Sequence, residues 1–341
     1  MKPDRNEIIR LLQSEGAEKE ALFARAAEVR QAAVGSKTYL RGLIEYSNVC
    51  RKNCLYCGIR RDNGSVERYT LAKTEVLDAA RLADRYGFGS VVLQAGELTG
   101  ENHIAAVEEL VRSIKEISEG RLGITLSLGE QTEETYRRWF DADAHRYLLR
   151  IETSSSSLYR KIHPDDPLHS HAARLEALRA LRRVGYQTGT GVMIGLPFQT
   201  VEDLADDLLF MHRFDIDMCG MGPYLEHRET PLYAYRETLK PTLWRLETTF
   251  KMIALLRLLM PDINIAATTA LQAIDPLARE KALGLGANVV MPNLTPFACK
   301  SCYKLYENKP VSEEISLPRS VIGYGEWGDS LRFRRRKGEE G

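Results

Sequence analysis

Three cysteines, Cys50, Cys54 and Cys57, stand in a C-x3-C-x2-C spacing directly after the apolar run Leu43-Ile44-Glu45-Tyr46-Ser47. Thiolates are soft ligands that suit iron–sulfur clusters and zinc, and three on one short loop can grip a metal group from one side. Three are too few to close a four-ligand site. On a four-iron cluster they hold three irons and leave the fourth open to a ligand that is not protein, which points to chemistry rather than scaffolding. Structural zinc accepts similar spacing but wants a fourth Cys or His, a place Cys299 or Cys302 could fill. A non-catalytic electron carrier normally has four cysteine ligands.

The chain that must position this loop has 341 residues, enough for one large α/β barrel or two ordinary domains. A hydrophobic fraction of 44% with 28% charged residues is ordinary for a globular protein with a substantial core. Lys+Arg 47 balances Asp+Glu 47, so no global basic field exists to gather nucleic acid. The basic run Arg332 to Lys337 reads as a solvated tail. No apolar leader opens the chain and no stretch approaches the ~20 apolar residues of a membrane span, so a cytoplasmic protein with reduced cysteines is expected and no membrane partner.

Apolar spacing predicts two helices over residues 4–35, broken near Gly16. Strands are predicted at 43–47, 91–94, 124–127, 147–151, 191–194, 218–221, 263–267 and 288–290, alternating with helices near 75–86, 103–117, 133–140, 170–184, 201–213, 242–259 and 276–283. Repeated βα units imply parallel strands with right-handed crossovers, and eight of them close into an α/β barrel of the TIM (β/α)8 type; an open doubly wound sheet is the alternative. The expected organisation is an N-terminal helical extension over 1–36, a barrel over 37–306 and a C-terminal tail over 307–341 that packs on or beside the barrel. Chemistry in such barrels sits at the C-terminal strand ends. The cysteine loop follows strand one, Gln94-Ala95-Gly96-Glu97 ends strand two and Ser127-Leu128-Gly129-Glu130 ends strand three. Arg150-Ile151-Glu152-Thr153 ends strand four, Gly195-Leu196-Pro197 strand five, and Thr268-Thr269 strand seven.

The cysteine spacing with Tyr56 before the last thiol resembles the signature of the radical S-adenosylmethionine (SAM) superfamily. That resemblance implies a [4Fe-4S] cluster on Cys50, Cys54 and Cys57, with SAM chelating the open iron and cleaved to a 5′-deoxyadenosyl radical. Gly96 and Glu97 resemble the element that meets the methionine ammonium, although Ala95 replaces the first glycine of that motif. Glu152, with Arg150 beside it, matches a ribose-binding carboxylate, and Arg174 matches the arginine that pairs the methionine carboxylate. Met193 and Gly195 match the strand-five segment against adenine, and Tyr306 lies near the adenosyl end.

Longer strings, from Glu45 through the cysteines to Asn63 and including Ala266-Ala267-Thr268-Thr269-Ala270 and Ala287 to Asn293, are similar to the HydE family of FeFe-hydrogenase maturases. Biotin synthase and the methylornithine-forming enzyme share the architecture with less similar flanks. The family resemblance implies a cavity holding a small iron carbonyl cyanide species that carries cysteine, facing Gln94, Thr125, Ser127, Arg146, Thr268, Thr269 and Tyr303. It also implies exchange with the HydG and HydF maturases and an electron donor such as ferredoxin or flavodoxin. Some family members carry three further cysteines near the C-terminus; after Tyr306 this chain has none. A related enzyme acting on an organic substrate and an iron–sulfur scaffold are the alternatives.

Overall fold

The computed structural model describes residues 4–307, 309 and 322–337. Its strands are β1 (Thr38–Ser47), β2 (Ser90–Ala95), β3 (Gly123–Ser127), β4 (Arg146–Leu148), β5 (Gln187–Thr190), β6 (Met193–Ile194), β7 (Met218–Cys219), β8 (Gly222–Pro223), β9 (Asn264–Ile265), β10 (Val289–Val290) and β11 (Ile322–Gly323). The helices are α1 (Arg5–Gln13), α2 (Gly16–Val34), α3 (Lys73–Arg85), α4 (Glu101–Ile117), α5 (Glu133–Asp141), α6 (Ser156–Ile162) and α7 (His171–Val184). They continue as α8 (Val201–Phe214), α9 (Thr242–Leu259), α10 (Thr269–Gln272), α11 (Ala278–Leu285), α12 (Phe297–Lys300) and α13 (Leu331–Arg336).

Eight parallel strands follow the order β10-β1-β2-β3-β4-β5-β7-β9. The two ends of that path meet at a parallel bridge between Ala266 and Val289, with Asn288 N–H donating to Ile265 O and Ala267 N–H to Val289 O, each at 2.9 Å. The barrel expected from the βα alternation is therefore formed and closed. Strands buried on both faces read as apolar runs rather than alternations, which is why Leu43, Ile44, Val91 to Leu93 and Ile124 were legible.

Strand five departs from the sequence reading. Its barrel segment is Gln187-Thr188-Gly189-Thr190, small and polar, and the apolar run after it forms β6, which pairs with β8 in a separate two-stranded sheet. A side chain at Gly191 would meet Gly220 O at 2.0 Å, so the close approach of the two chains is possible only for glycine at the break.

The N-terminal helices do not form a separate layer. α1 packs on α8 and α9, and α2 on α9 and α11. They cover the outer face of α9, so that helix is largely apolar and, apart from Glu247, buried from Arg245 onward. Asp4 caps α1 by accepting Glu7 N–H at 2.9 Å, and Gly16 takes a φ of 53° where α2 begins.

The C-terminal segment corrects one reading outright. The basic run is not a solvated tail: Arg332 pairs with Asp262 at 3.0 Å and also with Asp215, Arg336 pairs with Asp215 at 3.2 Å and with Asp217, and Phe333 is buried. β11 takes the edge of β1 at Thr38 and Tyr39. Trp327 stacks on His145 at 4.7 Å between ring centres, and Gly328 O accepts from Arg41 and Asn264. This segment closes the N-terminal end of the barrel, opposite the cysteine loop. Among the described residues, no helix is long and apolar enough to cross a membrane.

Candidate functional site

The cysteine loop leaves β1 at Ser47 and is tied down from several sides before any metal is considered. Arg51 N–H donates to Glu97 O (2.9 Å), Leu55 N–H to Ile162 O (3.1 Å) and Gly58 N–H to Leu305 O (3.0 Å). Asn53 N–H donates to Nε2 of His169 at 2.9 Å, while Nδ1 of that ring lies 2.7 Å from Asp166, so Nε2 is the acceptor and Nδ1 faces the carboxylate. Arg68 binds the loop from within: its guanidinium donates to the carbonyls of Asn48, Ile59, Arg60 and Asn63 at 2.6–3.2 Å.

All three thiols are free, Cys54 buried and the other two half-buried. Glu97 N–H donates to Cys50 Sγ at 3.3 Å. Burial pushes the Cys54 thiol up to about 12. The Cys57 thiol is held well above its ordinary value by burial and then by Cys54 and Cys50, so the sulfurs lie within electrostatic reach of one another. Three clustered thiols that are costly to ionise without a cation fit a metal group that supplies positive charge. Among the described residues, no three Cys, His, Asp or Glu side chains converge on a single ion; a four-iron cluster takes thiolates on separate corners and does not need such a focus.

Gly96 brings β2 against this loop. A side chain there would meet Val49 O at 2.3 Å and Cys50 Cβ at 2.7 Å. Glu97, 4% exposed, lies 3.0 Å from Arg51 Nε and 3.5 Å from Lys52 Nζ, and accepts Glu130 N–H at 2.8 Å. Lys52 reaches Glu130 at 3.0 Å, and Glu130 also pairs with the buried Arg174. Despite burial, these two cations hold the Glu130 carboxyl below its ordinary value. Arg174 donates in addition to Arg150 O at 2.6 Å. The result is a chain of alternating charge, Arg51–Glu97–Lys52–Glu130–Arg174, shielded from water beyond the half-exposed Arg51, that joins the ends of β1, β2, β3 and α7.

Glu152 is a non-glycine residue with φ of 65°, a conformation that costs energy and is held only when its surroundings over-determine it. Its N–H donates to Gly191 O and its O accepts from Met193 N–H. Arg150 Nη2 lies 2.9 Å from the Glu152 carboxylate and donates to Val192 O. Tyr56 Oη is 3.2 Å from Nε2 of His163, whose Nδ1 lies 2.9 Å from Tyr159 O; the imidazole therefore donates to the carbonyl and accepts from the phenol. Tyr56, Leu55 and Met193 pack on an apolar cluster of Leu158, Ile162, Leu196, Tyr224 and Leu232. Gly195 has φ of 82° with the Arg245 stem 2.4 Å from where a Cβ would stand.

The residues expected around the lumen divide. Gln94 donates to Tyr303 Oη at 3.3 Å, and Thr268 donates to Met221 O at 3.2 Å with Thr269 opening α10 beside it. Ser127 is half-buried at the end of β3, and Tyr306 directly follows the carbonyl that holds Gly58. Arg146 differs: it begins β4 at the closed end of the barrel, donates to Thr125 Oγ1 at 3.0 Å and pairs with Asp329 at 2.9 Å. Its charge, expected to serve a ligand, is met by the C-terminal segment, and the Thr125 hydroxyl is taken up with it. A cavity of ≈ 20 Å³ remains in the lumen between residues that include Arg41, Thr125, Met218 and Asn264.

Lys52, Arg68 and His163 were not singled out from the sequence and lacked a local signal. Glu130 stands in the string that ends strand three, but no role was assigned to it.

Residues 44–211 match the family model for the Radical SAM superfamily. The chain is 47% identical over 290 residues, 85% of its length and 80% of the relative, to the [FeFe] hydrogenase maturase subunit HydE of Thermotoga maritima. It is 29% identical over 86% of its length, and 79% of the relative, to the 3-methylornithine synthase of Methanosarcina barkeri. The crystal structure of methylornithine synthase (PylB) superposes with a TM-score of 0.75 at 27% identity, covering 85% of this chain and 82% of that one. The closed parallel barrel, the three-cysteine loop at its C-terminal mouth and this degree of identity make the chain a radical SAM enzyme, a member of the HydE family of hydrogenase maturases that uses a [4Fe-4S] cluster and SAM.

Proposed function

We propose that the site initiates radical chemistry on a small iron carbonyl cyanide species carrying cysteine, a step in assembling the FeFe-hydrogenase cofactor. The observation that carries this reading is the position of three free thiols at the mouth of the barrel, beside a left-handed Glu152 and a buried Arg174. Cys50, Cys54 and Cys57 would hold three irons. When bound, the reduced cluster supplies one electron to the sulfonium of SAM, breaking its S–C5′ bond to give methionine and a 5′-deoxyadenosyl radical.

The chain's own residues do the positioning. Glu152 offers two carboxylate oxygens to ribose hydroxyls, and Arg150 beside it fixes the direction of that carboxylate. Arg174, fixed by Glu130, offers guanidinium N–H groups to the methionine carboxylate. Gly96 and Glu97 present backbone and carboxylate toward the methionine ammonium. Tyr56, Met193 and Gly195, with the apolar cluster behind them, form a dry wall for adenine, and Tyr306 lies at the same end. Gln94, Ser127, Thr268, Thr269 and Tyr303 would face the substrate.

This reading includes supply of substrate by HydG, transfer toward HydF, a ferredoxin or flavodoxin as reductant and a cytoplasmic setting, with the barrel over 37–306 as the catalytic unit. The test is anaerobic reconstitution with iron and sulfide, reduction in the presence of SAM and assay of 5′-deoxyadenosine. Cleavage is expected in the wild type and its loss, together with cluster absorbance, in Cys54→Ala. No cleavage by a fully loaded cluster sinks the reading. Infrared bands of a mononuclear iron carbonyl cyanide complex carrying cysteine should change only when the enzyme and SAM are both present; unchanged bands alongside active SAM cleavage would leave an organic substrate as the better account.

A further inference from the structure

Asp207 lies on α8, fully buried, and belongs to none of the groups assigned above. Its Oδ1 accepts three bonds from the turn that follows Glu152: Ser154 N–H at 2.6 Å, Ser154 Oγ at 2.7 Å and Thr153 Oγ1 at 3.4 Å. Its Oδ2 is buried with no hydrogen-bond partner. Burial raises this carboxyl to about 7. A carboxylate placed out of water with one oxygen unanswered is costly to maintain, and what it secures in return is one short turn.

That turn is the one part of the Glu152 backbone that the barrel does not hold. On the strand side, Gly191 and Met193 fix the N–H and carbonyl of Glu152. On the other side the chain turns away through Thr153, which is fully buried, and Ser155, which caps α6 by accepting Leu158 N–H. Thr153 Oγ1 also accepts Ser155 N–H at 3.2 Å. The Asp207 carboxylate, with His171 of α7 bonded to the Thr153 backbone, thus sets both the exit from the left-handed residue and the start of the helix that carries Tyr159 and ends at His163, whose rings lie behind Tyr56.

We propose that Asp207 is a positioning residue for the ribose subsite, acting through the Thr153–Ser155 turn to hold Glu152 in its left-handed conformation. The inference rests on the reading of Glu152 as the ribose ligand. It concerns orientation only: Asp207 is not within the site and touches nothing that reacts.

The test measures affinity of the reconstituted holoprotein for S-adenosylhomocysteine and for its 2′-deoxy analogue, and takes their ratio as the ribose readout. In the wild type the hydroxyl-bearing ligand should bind about tenfold more tightly, the loss of one well-placed hydrogen bond to a charged group. Glu152→Gln should bring the ratio toward one. Asp207→Ala should do the same with the cluster's absorbance intact, whereas Asp207→Asn, which keeps an acceptor at Oδ1, should retain most of the discrimination. If Glu152→Gln collapses the ratio and Asp207→Ala leaves it at the wild-type value, the proposal is overturned and the ribose reading survives. If Glu152→Gln leaves the ratio unchanged, the ribose reading falls and takes the proposal with it. Should Asp207→Ala not yield folded protein, Thr153→Ala combined with Ser154→Ala removes both side-chain bonds to the same oxygen; an undiminished ratio in that variant overturns the proposal equally.

Discussion

Lys52 Nζ lies 3.0 Å from Glu130 Oε2, a pair formed between the cysteine loop and the end of β3, 78 residues apart in sequence and both shielded from water. The same ammonium is 3.5 Å from Glu97 and donates to Leu168 O. Two carboxylates from different strands are therefore held together by one buried cation, and the loop between Cys50 and Cys54 is stapled across the barrel mouth. A buried charge left without its partner is far more costly than the pair is favourable.

Replacing Lys52 by Ala or Met should for that reason destabilise the protein by about 3 kcal/mol, with a matching fall in the denaturant midpoint. Iron content after reconstitution should fall with it, because the staple spans two of the three ligands. Full stability and full cluster loading in Lys52→Met would remove the charge chain from any structural role.

Gly96, just after β2, and Gly64, in the turn beyond Cys57, differ in what surrounds them. Gly96→Ala forces a methyl against Val49 O and Cys50 Cβ, whereas nothing lies within 4 Å of a Cβ on Gly64. Overpacking of this kind costs about 1–3 kcal/mol, and here the displaced atoms belong to the cysteine loop. Gly96→Ala should lower the unfolding temperature and the iron bound per chain, while Gly64→Ala should change neither. Equal behaviour of the two variants in thermal scans and iron assays would contradict the close approach of β2.

His145 gives the closed end of the barrel a pH dependence. The ring is buried, its Nε2 3.1 Å from Asp329, its Nδ1 without a partner. Burial, then the neighbouring Arg146, lower its pKa from 6.5 to about 4. Between those values the unfolded chain binds a proton that the native ring does not, so stability is fully present above about 6.5 and declines as the pH falls toward 4. The loss should approach about 3 kcal/mol for this group, and His145→Gln should flatten the curve over that interval in pH-dependent denaturant titrations. A wild-type profile that stays flat from pH 6.5 to 4 would contradict the buried neutral ring.

Much of this molecule is written locally. The spacing of Cys50, Cys54 and Cys57 with Tyr56 was legible because residues on one short loop keep their spacing whatever surrounds them. The barrel was legible for a similar reason: strands covered on both faces are apolar runs, and the helices between them carry a 3.6-residue period. Even Glu152 and Arg174 could be placed, one at a strand end and one on the helix after it.

What the tertiary structure alone decided is which charges meet and which residues do no more than hold others. Nothing near Lys52 names Glu130 as its partner, and the run from Arg332 to Arg336 looks solvated until Asp215, Asp217 and Asp262 are found beneath it. Arg146 has the composition of a ligand-binding group, yet Asp329, 183 residues away, takes its charge. The polar strand Gln187–Thr190 escaped detection because its stabilisation comes from neighbours in the barrel rather than from its own pattern. Hydrophobic periodicity is carried by consecutive residues. Ion pairing and the buried acceptor of Asp207 depend on distances that only the closed barrel sets.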